Sequence, residues 1–193
     1  MSASKWSSEA KPAGLVYRPE LVSTDDERAL LEQIEALEFD EIRMHGVIAK
    51  RTARHFGLDY DYERRSIIRD VDPIPDWLLP IRETAAGLAA LESDALAEAL
   101  VQRYPEGAQI GWHRDAPMFA TVVGISLLAP ARMRFRRDVN GRREVFDLEL
   151  EPRSGYVLAG EARTKWQHHI PPTKSLRYSI TFRSLRNPER WLR

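Results

Sequence analysis

The stretch RYSITFR, residues 177–183, decides the predicted fold, because polar and apolar side chains alternate along it without interruption. Such alternation is typical of a β-strand that turns one face to a core and the other to polar surroundings. The polar face carries Arg177 and Arg183, and burying two arginines requires anionic partners. The guanidinium fork suits a carboxylate, which it binds through two parallel hydrogen bonds. The alternative is an exposed edge strand with its polar face in water.

Short strands with Pro and Gly punctuation surround this stretch and predict a β-sandwich or barrel. Asn140-Gly141 indicates a hairpin turn between two of them. Two helices are expected before the strands, one with Thr24 as N-cap and Glu27 closing a capping box, the other over residues 77–91 with a start or break at Pro80. The candidate strands are residues 97–104, 121–128, 132–137, 144–150, 155–158 and 176–185. The predicted fold class is α+β, a jelly roll (double-stranded β-helix) with N-terminal supporting helices.

The composition narrows the classes of protein and of metal site. The chain has 193 residues, which predicts one domain over residues 13–193 behind a disordered tail of residues 1–12. No apolar run approaches the ~18 residues of a membrane span, and the tail lacks the apolar segment of a secretory signal. We therefore expect a cytoplasmic monomer with no membrane partner. The sequence contains no cysteine, so histidines and carboxylates remain as the strong metal ligands.

Two histidine-containing segments predict a metal site. His113 and Asp115 are two residues apart, so both side chains can point to the same side of one strand. The third ligand would be His168 or His169, which cannot both point inward from an extended segment. Two imidazoles and one carboxylate form the ligand set of non-haem Fe(II) oxygenases. The alternative for the first pair is a surface histidine beside a turn-forming aspartate.

The residues from position 50 to the C-terminus resemble the AlkB-type Fe(II)/2-oxoglutarate-dependent dioxygenases in the order and spacing of their motifs. The similar stretches are RYPEGA (103–108), GWHRD (111–115), VGISL (123–127), GEAR (160–163), WQH (166–168) and RYSITFR (177–183). Three positions depart from the family pattern. Gln102 and Ser179 stand where the family usually has Asn, and Pro117 stands where it has an acidic residue.

The resemblance implies a role for each polar residue of the predicted site, with O2 as the oxidant. The implied iron ligands are His113, Asp115 and His168. The implied ligands of the cosubstrate 2-oxoglutarate are Tyr104, Arg177, Ser179 and Arg183. On a straight strand at ~3.3 Å per residue the two arginines would lie about 20 Å apart, much further than the length of this diacid. Either the strand bends so that both arginines reach inward, or only one of them binds the diacid directly.

The resemblance also implies a nucleotide-recognition lid over about residues 42–66, ahead of a jelly-roll core over about residues 97–185. The lid stretch KRTARHFGLDYDY, residues 50–62, combines cations for phosphate with aromatic rings for stacking. Arg51, Tyr60 and Tyr62 are the implied substrate contacts, although the aromatic rings could equally pack the lid onto the core. An apolar finger for opening a duplex is not evident, since Met44 is isolated, which favours single strands.

The function implied is oxidative dealkylation of N-alkylated bases in DNA or RNA, as in alkylation repair. One alternative is the same chemistry on an RNA modification, a protein or a small molecule. Another is a binding module without activity. The formal net charge of zero provides no global field that would attract nucleic acid.

Overall fold

The computed structural model of the chain describes residues 6–7, 11–44, 47–61, 66–68 and 71–191. Within them the α-helices are α1 (Thr24–Glu35), α2 (Leu79–Ala89), α3 (Gly160–Thr164) and α4 (Pro188–Trp191), with short 3-10 helices at Asp76–Leu78 and Ser93–Ala95. The strands are β1 (Trp6–Ser7), β2 (Leu15–Arg18), β3 (Asp40–Met44), β4 (Val47–Phe56), β5 (Asp59–Asp61), β6 (Ser66–Ile68), β7 (Leu96–Tyr104), β8 (Ile110–His113), β9 (Phe119–Leu127), β10 (Ala131–Val139), β11 (Arg142–Leu150), β12 (Ser154–Leu158), β13 (Gln167–Ile170) and β14 (Arg177–Leu185). No helix in the described ranges has the length and apolar character needed to cross a membrane.

The described strands form two main sheets. The larger has the order β2-β12-β9-β14-β7-β4-β3, the smaller has the order β1-β11-β10-β13-β8, and β5 pairs only with β6. Neighbouring strands are antiparallel, apart from the parallel pair of β1 and β11. This arrangement confirms the predicted jelly roll with supporting helices.

Strand β14 lies in the middle of the larger sheet, between β9 and β7, and all nine of its residues are buried. Its apolar face, Tyr178, Ile180 and Phe182, packs in the core formed with α1 and α2. On the opposite face, Ser179 and Thr181 line a cavity between the two sheets. The alternative of an exposed edge strand is therefore wrong.

The first helix begins one residue earlier than predicted. Ser23, in an extended conformation, caps α1 by accepting a hydrogen bond from the Asp26 amide at 3.1 Å, and Thr24 is already the first helical residue. Glu27 does not close a capping box there. Its carboxylate instead accepts a hydrogen bond from the Leu128 amide at 2.9 Å, which attaches the helix to the end of β9. The predicted cap at Thr24 is wrong, because the backbone enters the helix at Ser23.

The hairpin at Asn140-Gly141 and the helix start near Pro80 agree with the prediction from sequence. Asn140-Gly141 connects β10 to β11 with both residues at positive φ, as the hairpin signal indicated. Pro80 lies in the first turn of α2, where its missing N–H costs nothing. Strands β8 and β13, of four residues each, are additional to the candidate strands and carry the histidines of the predicted metal site.

The lid and tail predictions concern segments that the structure describes in part. Strand β4, within predicted lid residues 42–66, pairs with β7 over residues 52–56 and so belongs to the larger sheet. Within predicted tail residues 1–12, Trp6–Ser7 pair with Arg143 and Glu144 of β11. The domain boundaries remain a prediction.

Candidate active site

Three polar side chains converge between the two sheets at one end of the smaller sheet. His113 ends β8 and pairs directly with His168 of β13, and Asp115 follows two residues later. One ligand atom from each of the three residues lies within 4.8 Å of the others. The imidazole centroids of His113 and His168 are 4.2 Å apart, and Nε2 of His168 is 3.7 Å from Oδ2 of Asp115. Strand pairing thus assembles a cluster whose members are 55 residues apart in sequence, from 113 to 168.

The neighbouring histidine points away from this cluster. His169 contacts the indole of Trp112, with ring centroids 4.3 Å apart, and Arg136 lies over the same indole at 4.3 Å. The pleat of two adjacent strands therefore places His113 and His168 on the inner face and their neighbours on the outer face. Of the two candidates for a third ligand, only His168 reaches the cluster.

The electrostatics of the cluster suit a divalent cation. Burial lowers the pKa of His168 to about 3, and burial also lowers the pKa of His113, so both imidazoles are neutral at neutral pH. Burial alone would raise the pKa of Asp115, but Arg183 and the neighbouring cations hold that pKa below its usual value. The cluster therefore offers two imidazole lone pairs and one carboxylate, the donor set of an Fe(II) site.

Hydrogen bonds leave one donor atom of Asp115 and one of His113 available for the metal. Nη2 of Arg183 donates to Oδ1 of Asp115 at 3.1 Å, while the buried Oδ2 has no hydrogen-bond partner among the described residues. Nδ1 of His113 lies 2.8 Å from the carbonyl oxygen of Gly111, which leaves Nε2 as its acceptor. Arg163, from α3, donates to the carbonyl oxygens of Asp115 and Ala116 and joins the two ligand-bearing segments.

A second polar region lies at the other end of β14. Arg177 is 1% exposed, its Nη2 donates to Oγ of Ser126 at 3.0 Å, and its guanidinium lies 4.9 Å from the ring centre of Tyr104. Its buried Nε and Nη1 have no acceptor among the described residues. Because buried donors without acceptors are costly, this arginine fits an anion that is bound beside it.

A cavity between the two sheets is lined by all three predicted iron ligands and by the predicted cosubstrate ligands Tyr104, Ser179 and Arg183. Arg183 lines the cavity directly, whereas Arg177 lies just outside its wall against the ring of Tyr104. Arg177, Ser179, Thr181 and Arg183 alternate along β14 on the face opposite its apolar residues, and one arginine lies at each end of that row. Arg183 is on the cavity surface and Arg177 lies behind Tyr104, and whether one or both of them bind the diacid stays a prediction.

Sequence reasoning missed one aromatic residue of the cavity and left the contacts of Gln102 open. The buried ring of Tyr156 lines the cavity and packs on Gly124 so closely that a Cβ atom at Gly124 would collide with it. Burial raises the pKa of Tyr156, so it stays a neutral hydroxyl. Gln102 also lines the cavity, and its Oε1 accepts a hydrogen bond from Oη of Tyr104 at 3.0 Å. The signal for Tyr156 was a glycine inside an apolar strand, which often marks a close approach.

One of the three predicted substrate contacts can be placed at the site. Arg51, on β4, is 7% exposed, and its charge is one of the causes that lower the pKa of His113 after burial and despite Asp115. Tyr60 belongs to β5, where its backbone pairs with Ile67, but its side chain is outside the description. Tyr62 lies outside the described residues.

Comparison with known proteins agrees with this geometry. A family model described as the 2OG-Fe(II) oxygenase superfamily matches residues 19–183. The chain is 29% identical, over 93% of its length, to the Arabidopsis thaliana "Alkylated DNA repair protein ALKBH8 homolog" and covers 60% of that protein. It is 28% identical, over 86% of its length, to the Xenopus tropicalis "tRNA (carboxymethyluridine(34)-5-O)-methyltransferase alkbh8" and covers 26% of that protein. The chain thus spans between a quarter and three fifths of these relatives.

Two solved structures share the fold. OsALKBH1 matches with a TM-score of 0.69 at 17% identity, over 92% of this chain and 99% of that chain. A Pseudomonas putida prolyl-4-hydroxylase matches with a TM-score of 0.61 at 14% identity, over 90% of this chain and 94% of that chain. With the His-Asp-His cluster and the buried arginines in place, the chain belongs to the 2OG-Fe(II) oxygenase superfamily, which implies Fe(II), 2-oxoglutarate and O2, and the relatives to which it is similar include AlkB homologues.

Proposed function

We propose that this dioxygenase removes alkyl groups from N-alkylated bases in nucleic acid and favours single strands. The names of two similar proteins refer to alkylated DNA and to tRNA. The bound metal, 2-oxoglutarate and O2 would oxidise a carbon attached to nitrogen, after which the C–N bond breaks and an aldehyde leaves. The side chains would exclude water and hold that carbon at the metal.

The roles of the cavity residues follow from their positions. His113, Asp115 and His168 would hold Fe(II). Arg183, which contacts Asp115, would bind the carboxylate end of 2-oxoglutarate nearer the metal. The distal carboxylate would meet the hydroxyls of Tyr104 and Ser179, which line the cavity, and the two partnerless donors of Arg177 behind Tyr104. The neutral hydroxyl of Tyr156 offers this diacid another donor on the same wall.

Arg51 is the observation that carries the choice of substrate. It is a buried cation on β4, a strand of the predicted lid, and its charge is one of the causes that lower the pKa of His113. A guanidinium near the iron ligands would bind an anionic or polar part of the substrate, either a phosphate or the polar edge of a base. Tyr60 and Tyr62 would stack on the base that enters beside it.

The test is aerobic turnover with Fe(II) and 2-oxoglutarate on single-stranded oligonucleotides that carry 1-methyladenine or 3-methylcytosine. Mass spectrometry of the oligonucleotide should show loss of one methyl group, and His113→Ala should abolish it. Arg51→Gln should weaken demethylation while leaving succinate formation without nucleic acid intact. Succinate formation without demethylation of either base would refute repair as the function while keeping the dioxygenase chemistry.

Oxidation of a tRNA modification is the second candidate, because the Xenopus relative is named for a modified tRNA uridine. The same assay on purified tRNA separates the two functions. A mass gain of one oxygen on a modified nucleoside would indicate hydroxylation of tRNA, whereas a loss of methyl would indicate repair.

A further inference from the structure

A buried carboxylate of β7 lies directly behind the iron site and is not explained by iron or cosubstrate binding. Glu98 is 0% exposed, and its strand position pairs with Arg183 on β14. Its Oε2 accepts a hydrogen bond from Nη1 of Arg183 at 2.9 Å, and its Oε1 lies 3.1 Å from Nδ1 of His55 on β4. Asp115 and Glu98 therefore hold the same guanidinium from two sides.

This arrangement matters because Arg183 is a fixed positive charge beside a cation site. The guanidinium donates to Asp115 and therefore lies close to any metal ion bound to that carboxylate, which it repels. It also competes with the ion for the negative charge of Asp115. In a buried site such repulsion is weakly screened. With neutral imidazoles, Arg183 and Asp115 together would carry no net charge. With Glu98 included, the three side chains of Arg183, Asp115 and Glu98 carry one net negative charge, which favours binding of a divalent cation.

We propose that Glu98 is a positioning residue of the metal site, which neutralises Arg183 so that the charge of Asp115 remains available to the metal. Glu98 acts through the guanidinium and touches neither metal nor cosubstrate. It also fixes Arg183 in one orientation, because one nitrogen of the fork faces each carboxylate. This role is independent of which substrate is oxidised.

The hydrogen bond from the lid strand adds a connection to the same group. His55 pairs in register with Leu100 on β7, which places its ring beside Glu98 at the border between lid and core. The network therefore runs from β4 through Glu98 and Arg183 to Asp115. Strand β4 also carries Arg51. The contact between His55 and Glu98 therefore links the strand that would meet the substrate to the metal site.

The test measures metal affinity rather than turnover. Mn²⁺ is titrated into the metal-free full-length chain at neutral pH without 2-oxoglutarate, and free Mn²⁺ is read by electron paramagnetic resonance. Glu98→Gln keeps the shape of the side chain and removes its charge, and should weaken Mn²⁺ binding by about 10- to 100-fold, the usual effect of losing a partner of a metal ligand. Glu98→Asp keeps the charge and should bind Mn²⁺ more tightly than Glu98→Gln.

A double variant separates charge from hydrogen bonding. Glu98→Gln with Arg183→Gln removes both charges together, so its Mn²⁺ affinity should recover toward that of the wild type. If Glu98 served only to hold the fold or to orient Arg183, the double variant would bind no better than Glu98→Gln. That result, or an unchanged Mn²⁺ affinity in folded Glu98→Gln, would overturn the proposal.

A comparison in the absence of Arg183 covers the case in which Glu98→Gln does not fold alone. Arg183→Gln retains Glu98 beside Asp115 and should bind Mn²⁺ more tightly than the double variant. Equal affinities of these two variants would overturn the proposal as well. Circular dichroism and thermal unfolding of each variant report whether the binding-competent fold is present.

Discussion

Acidification should destabilise the metal-free protein through its buried imidazoles. In the folded chain, burial lowers the pKa of His168 to about 3, whereas an exposed histidine of the unfolded chain titrates near about 6.5. Below the pKa of the unfolded chain, His168 binds a proton when the chain is unfolded but stays neutral when it is folded. The free energy of unfolding therefore falls as the pH decreases from about 6.5 toward the folded value.

The size of the effect follows from the distance between pH and the unfolded pKa. Each pH unit inside this window contributes about 1.4 kcal/mol, so His168 alone should lower the free energy of unfolding by about 2 kcal/mol between pH 7 and pH 5. The lowered pKa of His113 acts in the same direction. Because the ring of His168 is buried between two sheets, solvent screening should not reduce this contribution much.

Urea unfolding with a chelator present, followed by tryptophan fluorescence at both pH values, measures the loss. At a slope of about 2 kcal/mol per molar urea, the midpoint should move down by about 1 M. His168→Gln should lose most of this shift. His169→Gln is the matched control, because it removes the more exposed imidazole of the outer face and should retain most of the shift. A wild-type midpoint that does not move, or a full shift in His168→Gln, would refute the reasoning.

Three further outcomes are expected. Arg177→Lys keeps a cation but loses the guanidinium fork, so the KM for 2-oxoglutarate should rise about tenfold or more. Succinate formation measures this KM, and an unchanged value would mean that the distal carboxylate binds elsewhere. Gly124→Ala forces a methyl group into the ring of Tyr156 and should cost about 1–3 kcal/mol in urea unfolding; a neutral result would mean that the ring moves freely. Ser23→Ala should lower the free energy of unfolding by about 1 kcal/mol, while Thr24→Ala should be nearly silent, and the reverse order would restore Thr24 as the cap.

Two pairs of adjacent residues with similar chemistry show which choices the local sequence could not decide. Ser23 and Thr24 are both good caps, and the choice is made by the backbone angles at which the chain leaves β2 and its following loop. His168 and His169 are both good ligands, and only the pairing of β13 with β8 turns His168 inward. In each case the local sequence restricts the answer to two candidates, and tertiary contacts select one of them.

Partners distant in sequence could not be predicted from a pattern. Glu98 lies between two alanines of β7, and its partner Arg183 is 85 residues away along the chain. The contact of Tyr156 with Gly124 likewise depends on the pairing of β12 with β9. A strand pattern records the character of each face but contains no information about which residue will stand opposite.

The sequence by itself determined the kinds of donor atom, the two-residue spacing that puts His113 and Asp115 on one side, and the alternation that makes residues 177–183 a two-faced strand. These properties are local, since they follow from side-chain chemistry and from the period of an extended backbone. Only the tertiary structure decided that β14 is central and that its arginines are buried. It also decided that the guanidinium of Arg183 lies between two carboxylates. Burial and charge pairing depend on which strands become neighbours, and that order is set by the packing of the whole chain.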